Sequence, residues 1–194
     1  MGLCIHYKGA LKVEESLALL IDEIKDISDV HQWKYHIFER ELKENSFASQ
    51  EFDDSIYGIC FAPPECEPVC FTFLSNGIIC TPWALSYYLD TKDDVLMNSA
   101  SVKTQYAGPS THRMLVHLFD YISITYLKDF EVEDETGYWT ERNEKKLNDN
   151  FERMNSLLEQ VAGIIKTVKI KEGENFEVCI QELIRKLKDA KYNE

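Results

Sequence analysis

The sequence contains none of the short motifs that mark common catalytic and metal-binding families. It has no glycine-rich phosphate or dinucleotide loop, no Gly-x-Ser-x-Gly elbow and no His-Glu-x-x-His pair. Its six cysteines include no Cys-x-x-Cys pair, so we expect no zinc knuckle, and we predict neither a metal nor a cofactor. His6 and His36 both lie on the polar side of predicted strands, but no third ligand with suitable spacing accompanies them.

Long apolar runs and an excess of basic residues are also missing. No stretch approaches the roughly 18 consecutive apolar residues of a membrane span, and no charged leader with an apolar run begins the chain, so we expect a cytoplasmic protein. Lysine and arginine number 21 against 34 acidic residues, a net charge of −13. This charge opposes binding to nucleic acid or anionic lipid. It serves either solubility or attraction of a basic protein partner, and both readings stay open.

The cysteines themselves lie mostly in apolar surroundings. Cys60, Cys70 and Cys80 fall inside strand-like apolar runs, where a free cysteine behaves as a small hydrophobic residue. We therefore predict that these three are free, buried thiols. Cys66 lies between Glu65 and Glu67 in a proline-rich loop, and two neighbouring carboxylates disfavour a reactive thiolate.

The 194 residues do contain alternating strand patterns and amphipathic helical patterns. They predict a single α+β domain with a mainly antiparallel sheet of about six strands and four helices packed largely on one face. The helices are expected at 13–29, 109–128, 141–169 and 175–190. The strands are expected at 2–8, 33–38, 56–61, 69–74, 78–81, 101–106 and 130–133. An alternative is a split chain in which residues 140–194 form a separate helical hairpin.

Several boundaries follow from individual residues. Gly9 is expected to end the first strand, and Asn76-Gly77 predicts a type I′ hairpin turn. Residues 83–97 fit either a short helix or an irregular cover over the core. Thr140 is the predicted N-cap of the third long helix. That helix carries an apolar seam in a four-three pattern, broadened by Leu157 and Ile164, so the protein is expected to be a monomer or a homodimer.

The candidate site lies between residues 101 and 139. Val102, Thr104 and Tyr106 alternate with polar residues and are expected on one face of a strand, after which Pro109 opens a helix. The strand at 130–133 is expected to run roughly parallel to the strand at 101–106 and to end at the same end of the sheet. Five polar residues would then converge there: Lys103, Gln105, His112, Asp134 and Glu135.

These residue types in this arrangement suit a small polar site. His112 in the first turn of a helix would be a base or a ligand, and Lys103 with the helix amides would hold an anionic group. Asp134 and Glu135 would supply carboxylates for acid/base chemistry or for a divalent cation. Ordinary roles remain open: a core-edge histidine, a solvated strand face for Lys103 and Gln105, and a simple turn at 134–137.

These observations fit two functions of different class. The favoured one is a non-enzymatic protein-interaction or regulatory protein that attracts a basic partner. The alternative is a small enzyme or ligand-binding protein with its polar site at 103–112 and 134–135.

Residues 101–108, His112 and the segment 134–139 also resemble a family of bacterial proteins of similar length, and the likeness extends over most of the chain. No activity is assigned to that family. The resemblance implies a bacterial, cytoplasmic protein and supplies no catalytic residue.

Overall fold

The computed structural model describes residues 2–167 and contains six strands and five helices in that range. The predicted α+β class and the prediction of about six strands are confirmed, although the segment expected as a strand at 78–81 forms only isolated bridges. In chain order the elements are β1 (Cys4–Leu11), α1 (Ser16–His31), β2 (Lys34–Ile37), β3 (Tyr57–Ala62), β4 (Val69–Phe73), α2 (Pro82–Thr91), β5 (Ala100–Lys103), α3 (Gly108–Tyr126), β6 (Leu127–Asp134), α4 (Tyr138–Glu141) and α5 (Glu144–Thr167).

The strands form two antiparallel three-stranded sheets, β5-β1-β6 and β2-β3-β4. Residues 78–80 join them, because Ile78 bridges to Ala10 of β1 and Ile79 bridges to Phe73 of β4. Because every pairing between β1 and β2 along this series is antiparallel, β1 and β2 run in the same direction. They are not neighbours, however, so His6 and His36 lie on strands that are far apart in the sheet order, and they do not form a pair.

The main core lies between the sheets and the helices α1 and α3. Alternate residues of β1 are fully buried, and Tyr7 packs its ring 4.8 Å from Phe119 of α3. The Tyr7 hydroxyl donates to the carbonyl of Cys70 at 2.9 Å and accepts from the amide of Cys70 at 3.0 Å, so β1 is tied to β4 through a buried side chain. Burying one such aromatic side chain stabilises the fold by roughly 2–3 kcal/mol.

A smaller apolar cluster includes residues of α2. Leu85 packs there with Leu74, Cys80 and Met97. The Thr81 side chain caps α2 by accepting a hydrogen bond from the amide of Ala84 at 3.2 Å, and Pro82 opens the helix. The ambiguous segment 83–97 therefore begins as a short helix that covers part of the core.

Local turn geometry differs from the sequence prediction at several points. β1 continues past Gly9 to Leu11, with a shift of register between Lys8 and Ala10 that marks a bulge. The loop after β4 has three residues instead of two, since the amide of Leu74 pairs with the carbonyl of Ile78 and Gly77 alone takes a positive φ of 86°.

The strand predicted at 101–106 ends early. β5 stops at Lys103, because the chain turns there: the amide of Ala107 donates to the carbonyl of Thr104 at 3.0 Å. Tyr106 consequently lies on the surface with 62% of its area exposed. The prediction that Tyr106 lies on the same strand face as Val102 and Thr104 was wrong.

The third long helix begins later than expected. Arg142 has a left-handed backbone that separates α4 from α5, and the side chain of Asn143 accepts a hydrogen bond from the amide of Lys146 at 3.0 Å. Asn143, and not Thr140, therefore caps this helix. The chain divides into two compact units, Met1–Asn148 and Asp149–Glu194. The helix predicted at 175–190 lies outside the described residues.

Cys60 and Cys70 form a disulfide, with Cα atoms 4.2 Å apart. The antiparallel register of β3 and β4 places these two residues directly opposite each other. The prediction that both are free thiols was therefore wrong, because the sequence does not reveal strand register. Cys80 is free and buried, as predicted.

Candidate functional site

His112 lies at the centre of a buried polar cluster with Thr104, Asp134 and Thr136, which we name the buried histidine cluster. Its side chain is fully buried in the second turn of α3. The ring nitrogen Nδ1 lies 2.7 Å from the hydroxyl of Thr104, and Nε2 lies 3.2 Å from Oδ1 of Asp134 and 3.1 Å from the hydroxyl of Thr136. Both ring nitrogens are thus occupied by partners from other elements.

The carboxylate of Asp134 is equally enclosed, with a side chain that is 1% exposed. It accepts hydrogen bonds from the amides of Thr136 at 2.8 Å and Trp139 at 2.9 Å. Burial alone would raise the pKa of this carboxyl, but the hydrogen bond and charge of His112, with the two amides, outweigh burial and lower the pKa below its ordinary value. The cluster therefore holds an ionised carboxylate where β6 ends.

The buried histidine cluster joins four parts of the chain. Thr104 follows β5 and donates its hydroxyl to the carbonyl of Leu3 at 3.1 Å, beside the start of β1. His112 belongs to α3, and Asp134 ends β6. Because its side chains are enclosed and paired with one another, the cluster has the geometry of a structural hydrogen-bond network and not that of a catalytic centre.

The five polar residues predicted to converge do lie at one end of the sheet, but on different sides of it. β5 and β6 run parallel to each other with β1 between them, since each pairs antiparallel with β1. His112 and Asp134 meet on the inner side. Glu135 is exposed and accepts a hydrogen bond from the amide of Cys4 at 2.8 Å. Lys103 of β5 is opposite Cys4 of β1. Gln105 is buried, and its Oε1 atom has no hydrogen-bond partner within the described part of the chain.

The solvent-facing side of β5, β1 and β6 forms a second polar surface, which we name the outer face. Alternation in β1 sends Ile5 and Tyr7 inward and leaves Cys4, His6 and Lys8 outward. Register then sets their neighbours on β6, because His6 is opposite Glu133 and Lys8 is opposite Glu131. On β5, Ser101 is opposite His6 and Lys103 is opposite Cys4.

Three residues of the outer face bring metal-ligating atoms together. The thiol of Cys4, a ring nitrogen of His6 and a carboxylate oxygen of Glu135 all lie within 4.8 Å of one another. Cys4 is partly buried, whereas His6 and Glu135 are exposed. We name these three residues the thiol cluster.

The electrostatics around Cys4 are mixed. Burial raises the pKa of the Cys4 thiol, and the carboxylates of Glu135 and Glu67 raise it further, while the cation of Lys103 lowers it. Burial and the neighbouring Glu67 raise the pKa of Cys66 to about 12. In the absence of an added cation, both thiols are therefore poor nucleophiles at neutral pH.

Two adjoining depressions cross the outer face and share His6 and Ser99; we name them together the outer groove. One has a volume of about 330 Å³, is bounded by β1 and β6, and contains the acidic side chains of Glu131 and Glu133. The other has a volume of about 240 Å³ and contains Trp83 and Leu96. The outer groove thus has an acidic end and an apolar end.

Sequence reasoning missed the thiol cluster and the outer groove, although part of the signal was available. The alternation of Leu3, Ile5 and Tyr7 already placed Cys4 and His6 on the opposite side of one strand. The missing information was that β6 is the strand beside β1, which brings Glu135 next to Cys4.

Comparison with known proteins found no matching family model, curated protein or solved structure. Among residues 2–167, no helix is long and apolar enough to cross a membrane.

Proposed function

We propose that this protein is a non-enzymatic interaction protein that binds a basic, extended protein segment in the outer groove. The observation that carries the proposal is that an acidic depression and an apolar depression adjoin each other on the outer face. Trp83 and Leu96 are each about half exposed although they are large and apolar, and Glu131 and Glu133 lie at the acidic end.

The charges of the acidic end favour a cationic ligand. Glu131 is paired with Lys8 at 3.0 Å, but both side chains are more than half exposed, so this pair contributes little and can exchange partners. Among the described residues no lysine or arginine forms an ion pair with Glu133. The net charge of −13 would in addition attract a basic partner from a distance.

The apolar end would supply most of the affinity. Aromatic residues at the centre of interfaces bury large areas at a low entropic cost, and they are frequent binding hot spots. Neighbouring strands lie about 4.8 Å apart, so β6 is roughly 10 Å from β5 across the outer face. Three residues of extended peptide span about 10 Å. The preferred ligand is therefore an apolar residue followed three or four positions later by lysine or arginine.

Synthetic peptides of this pattern test the proposal directly. We expect a leucine-and-arginine peptide to shift the amide and indole resonances of Trp83 in the isotope-labelled protein, with an affinity that falls as salt is added. Trp83→Ala and Glu133→Gln should each weaken binding about tenfold or more.

Two matched variants serve as controls. Ile124→Ala removes an even more exposed apolar side chain on α3, and Glu14→Gln removes an exposed carboxylate outside the groove; both should bind as the wild type does. If the acidic counterpart of the peptide binds equally well, or if the Trp83 and Glu133 variants bind normally, the proposal is wrong.

The alternative, a small enzyme or ligand-binding protein that uses His112 and Asp134, has less support. Both side chains are enclosed and satisfied by protein partners. A substrate would reach them only if these enclosing contacts opened.

We also propose that the protein belongs to a bacterial cytoplasm, and the Cys60–Cys70 pair provides the test. Disulfides are rare in that compartment, so both thiols should be reduced in living cells. Rapid alkylation of intact host cells followed by mass spectrometry measures their state. Recovery of the pair as a disulfide from intact cells would contradict the cytoplasmic assignment.

A further inference from the structure

We propose that Cys4, His6 and Glu135 bind one zinc-class divalent cation at the edge of the outer face. Two of the ligands, Cys4 and Glu135, do not line the outer groove, whereas His6 belongs to both the metal site and the groove.

The donor set is the first argument. One thiolate, one imidazole and one carboxylate are the three ligand types that proteins use for zinc. A soft sulfur and a borderline nitrogen favour zinc, cobalt or copper over calcium and magnesium, which prefer oxygen ligands. Three protein ligands leave one tetrahedral position open to water or to a bound group, as in zinc sites that perform chemistry.

The backbone brings these ligands together before any ion arrives. Cys4 and His6 are two residues apart on one face of β1, and β5 and β6 hold that strand on both sides. The amide of Glu135 donates to the carbonyl of Cys4 at 3.1 Å, and the carboxylate of Glu135 accepts from the amide of Cys4 at 2.8 Å. Glu135 is thus fixed beside Cys4 through both its main chain and its side chain.

The distances require only a small contraction. Zinc bond lengths of about 2.0–2.3 Å place tetrahedral ligand atoms roughly 3.4–3.7 Å apart. The three donor atoms now lie within 4.8 Å of one another. A movement of about 1 Å is within the reach of side-chain rotation for the exposed His6 and Glu135.

The surrounding charges favour a cation. The carboxylates of Glu135 and Glu67 act on Cys4 against the single ammonium of Lys103. Glu133 is directly opposite His6, and residues paired in this way have Cβ atoms about 5 Å apart. At this spacing its carboxylate is within reach of the His6 ring, and a carboxylate that accepts a hydrogen bond from a metal-bound histidine commonly orients that ligand.

Cobalt(II) titration of tag-free protein, with Cys4 reduced and the Cys60–Cys70 disulfide intact, tests the proposal, because a cobalt–thiolate bond gives a characteristic charge-transfer absorption. We expect one equivalent of cobalt to produce this band and one equivalent of zinc to abolish it. Cys4→Ser should remove the band. His6→Asn and Glu135→Gln should each weaken binding by more than about tenfold, since even residues that only orient a ligand have effects of that size.

Matched variants separate this site from other thiols and imidazoles. Cys66→Ser changes a nearby thiol outside the cluster, and His36→Asn changes a histidine on β2; both should retain the band. Metal-free melting temperatures should match the wild type for Cys4→Ser and His6→Asn, because neither side chain is fully buried. If Cys4→Ser fails to fold, His6→Asn alone decides the question through zinc calorimetry.

Failure of this proposal is distinguishable from failure of the proposed function. Trp83→Ala should keep the cobalt band and lose peptide binding, whereas Cys4→Ser should lose the band and keep peptide binding in metal-free protein. A wild type without the band, a band that survives in Cys4→Ser, or an equal loss in Cys66→Ser would each overturn the assignment.

Discussion

Replacement of His112 by alanine is the sharpest test of whether the buried histidine cluster is structural. The substitution removes the contact with the Asp134 carboxylate, and a hydrogen bond to a charged group is worth about 1.5–3 kcal/mol. It also removes the contact with Thr104, worth about 0.5–1.5 kcal/mol. Together these two contacts are worth about 2–4.5 kcal/mol, so we expect a loss in that range.

A loss of this size is a large part of the 5–15 kcal/mol typical of a folded domain. Urea unfolding followed by far-ultraviolet circular dichroism measures it through the shift of the midpoint at constant slope. His117→Ala is the matched control, since this histidine is exposed on the same helix and should change stability by no more than about 0.5 kcal/mol.

A double-mutant cycle assigns the loss to the pair itself. We expect His112→Ala and Asp134→Asn to be non-additive by about 1–3 kcal/mol, as is usual for residues that share one hydrogen-bond network. If His112→Ala destabilises the protein no more than His117→Ala does, the buried histidine cluster does not stabilise the fold. The enzyme alternative would then gain support, because an enclosed histidine without a stability role needs another explanation.

Two further perturbations test the sheet. Gly58→Ala should lower the free energy of unfolding by about 3 kcal/mol or more, because Gly58 has a φ of 117° and an added Cβ would lie 2.3 Å from a β4 carbonyl oxygen. The control Gly163→Ala adds a Cβ that meets no atom of the described residues within 4 Å and should be neutral or stabilising. Equal urea midpoints for the two variants would contradict this reasoning. Reduction of the Cys60–Cys70 bond, which closes a separation of ten residues, should lower stability by about 2–3 kcal/mol by the chain-entropy relation. Thiol titration during unfolding should then report two additional thiols, and an unchanged midpoint would refute a stabilising role for the bond.

Much of the arrangement around His112 could be predicted because chain connectivity restricts it. A strand, a turn and a helix in sequence force Thr104 and His112 close together, and a return strand of the right length brings Asp134 back to the same end. The side of the sheet on which each residue lies was harder to predict. Asp134 and Glu135 are adjacent in the chain, yet one is enclosed and the other is exposed.

The alternation of apolar and polar residues could not predict which distant strands pair with each other. A period of two identifies the buried side of β1 but not the strand beside it. Cys4 and Glu135 are separated by 131 positions, and Cys60 meets Cys70 only because β3 and β4 pair in one register out of several. Both the thiol cluster and the disulfide depend on register, and a single sequence carries little information about register.

One physical consequence follows from the alternation of β1 and β6. Their inward residues share a dry interior with His112, where an ionised carboxylate is stable only when it is fully paired. The outward side chains of His6 and of Glu135, which follows β6, are exposed, so they can adjust around a ligand beside the partly buried Cys4. The fixed inner side holds the ends of β5 and β6 beside β1, and this in turn keeps the outer donors close together. Structural and ligand-binding roles can therefore coexist at one end of the sheet because adjacent residues point to opposite faces.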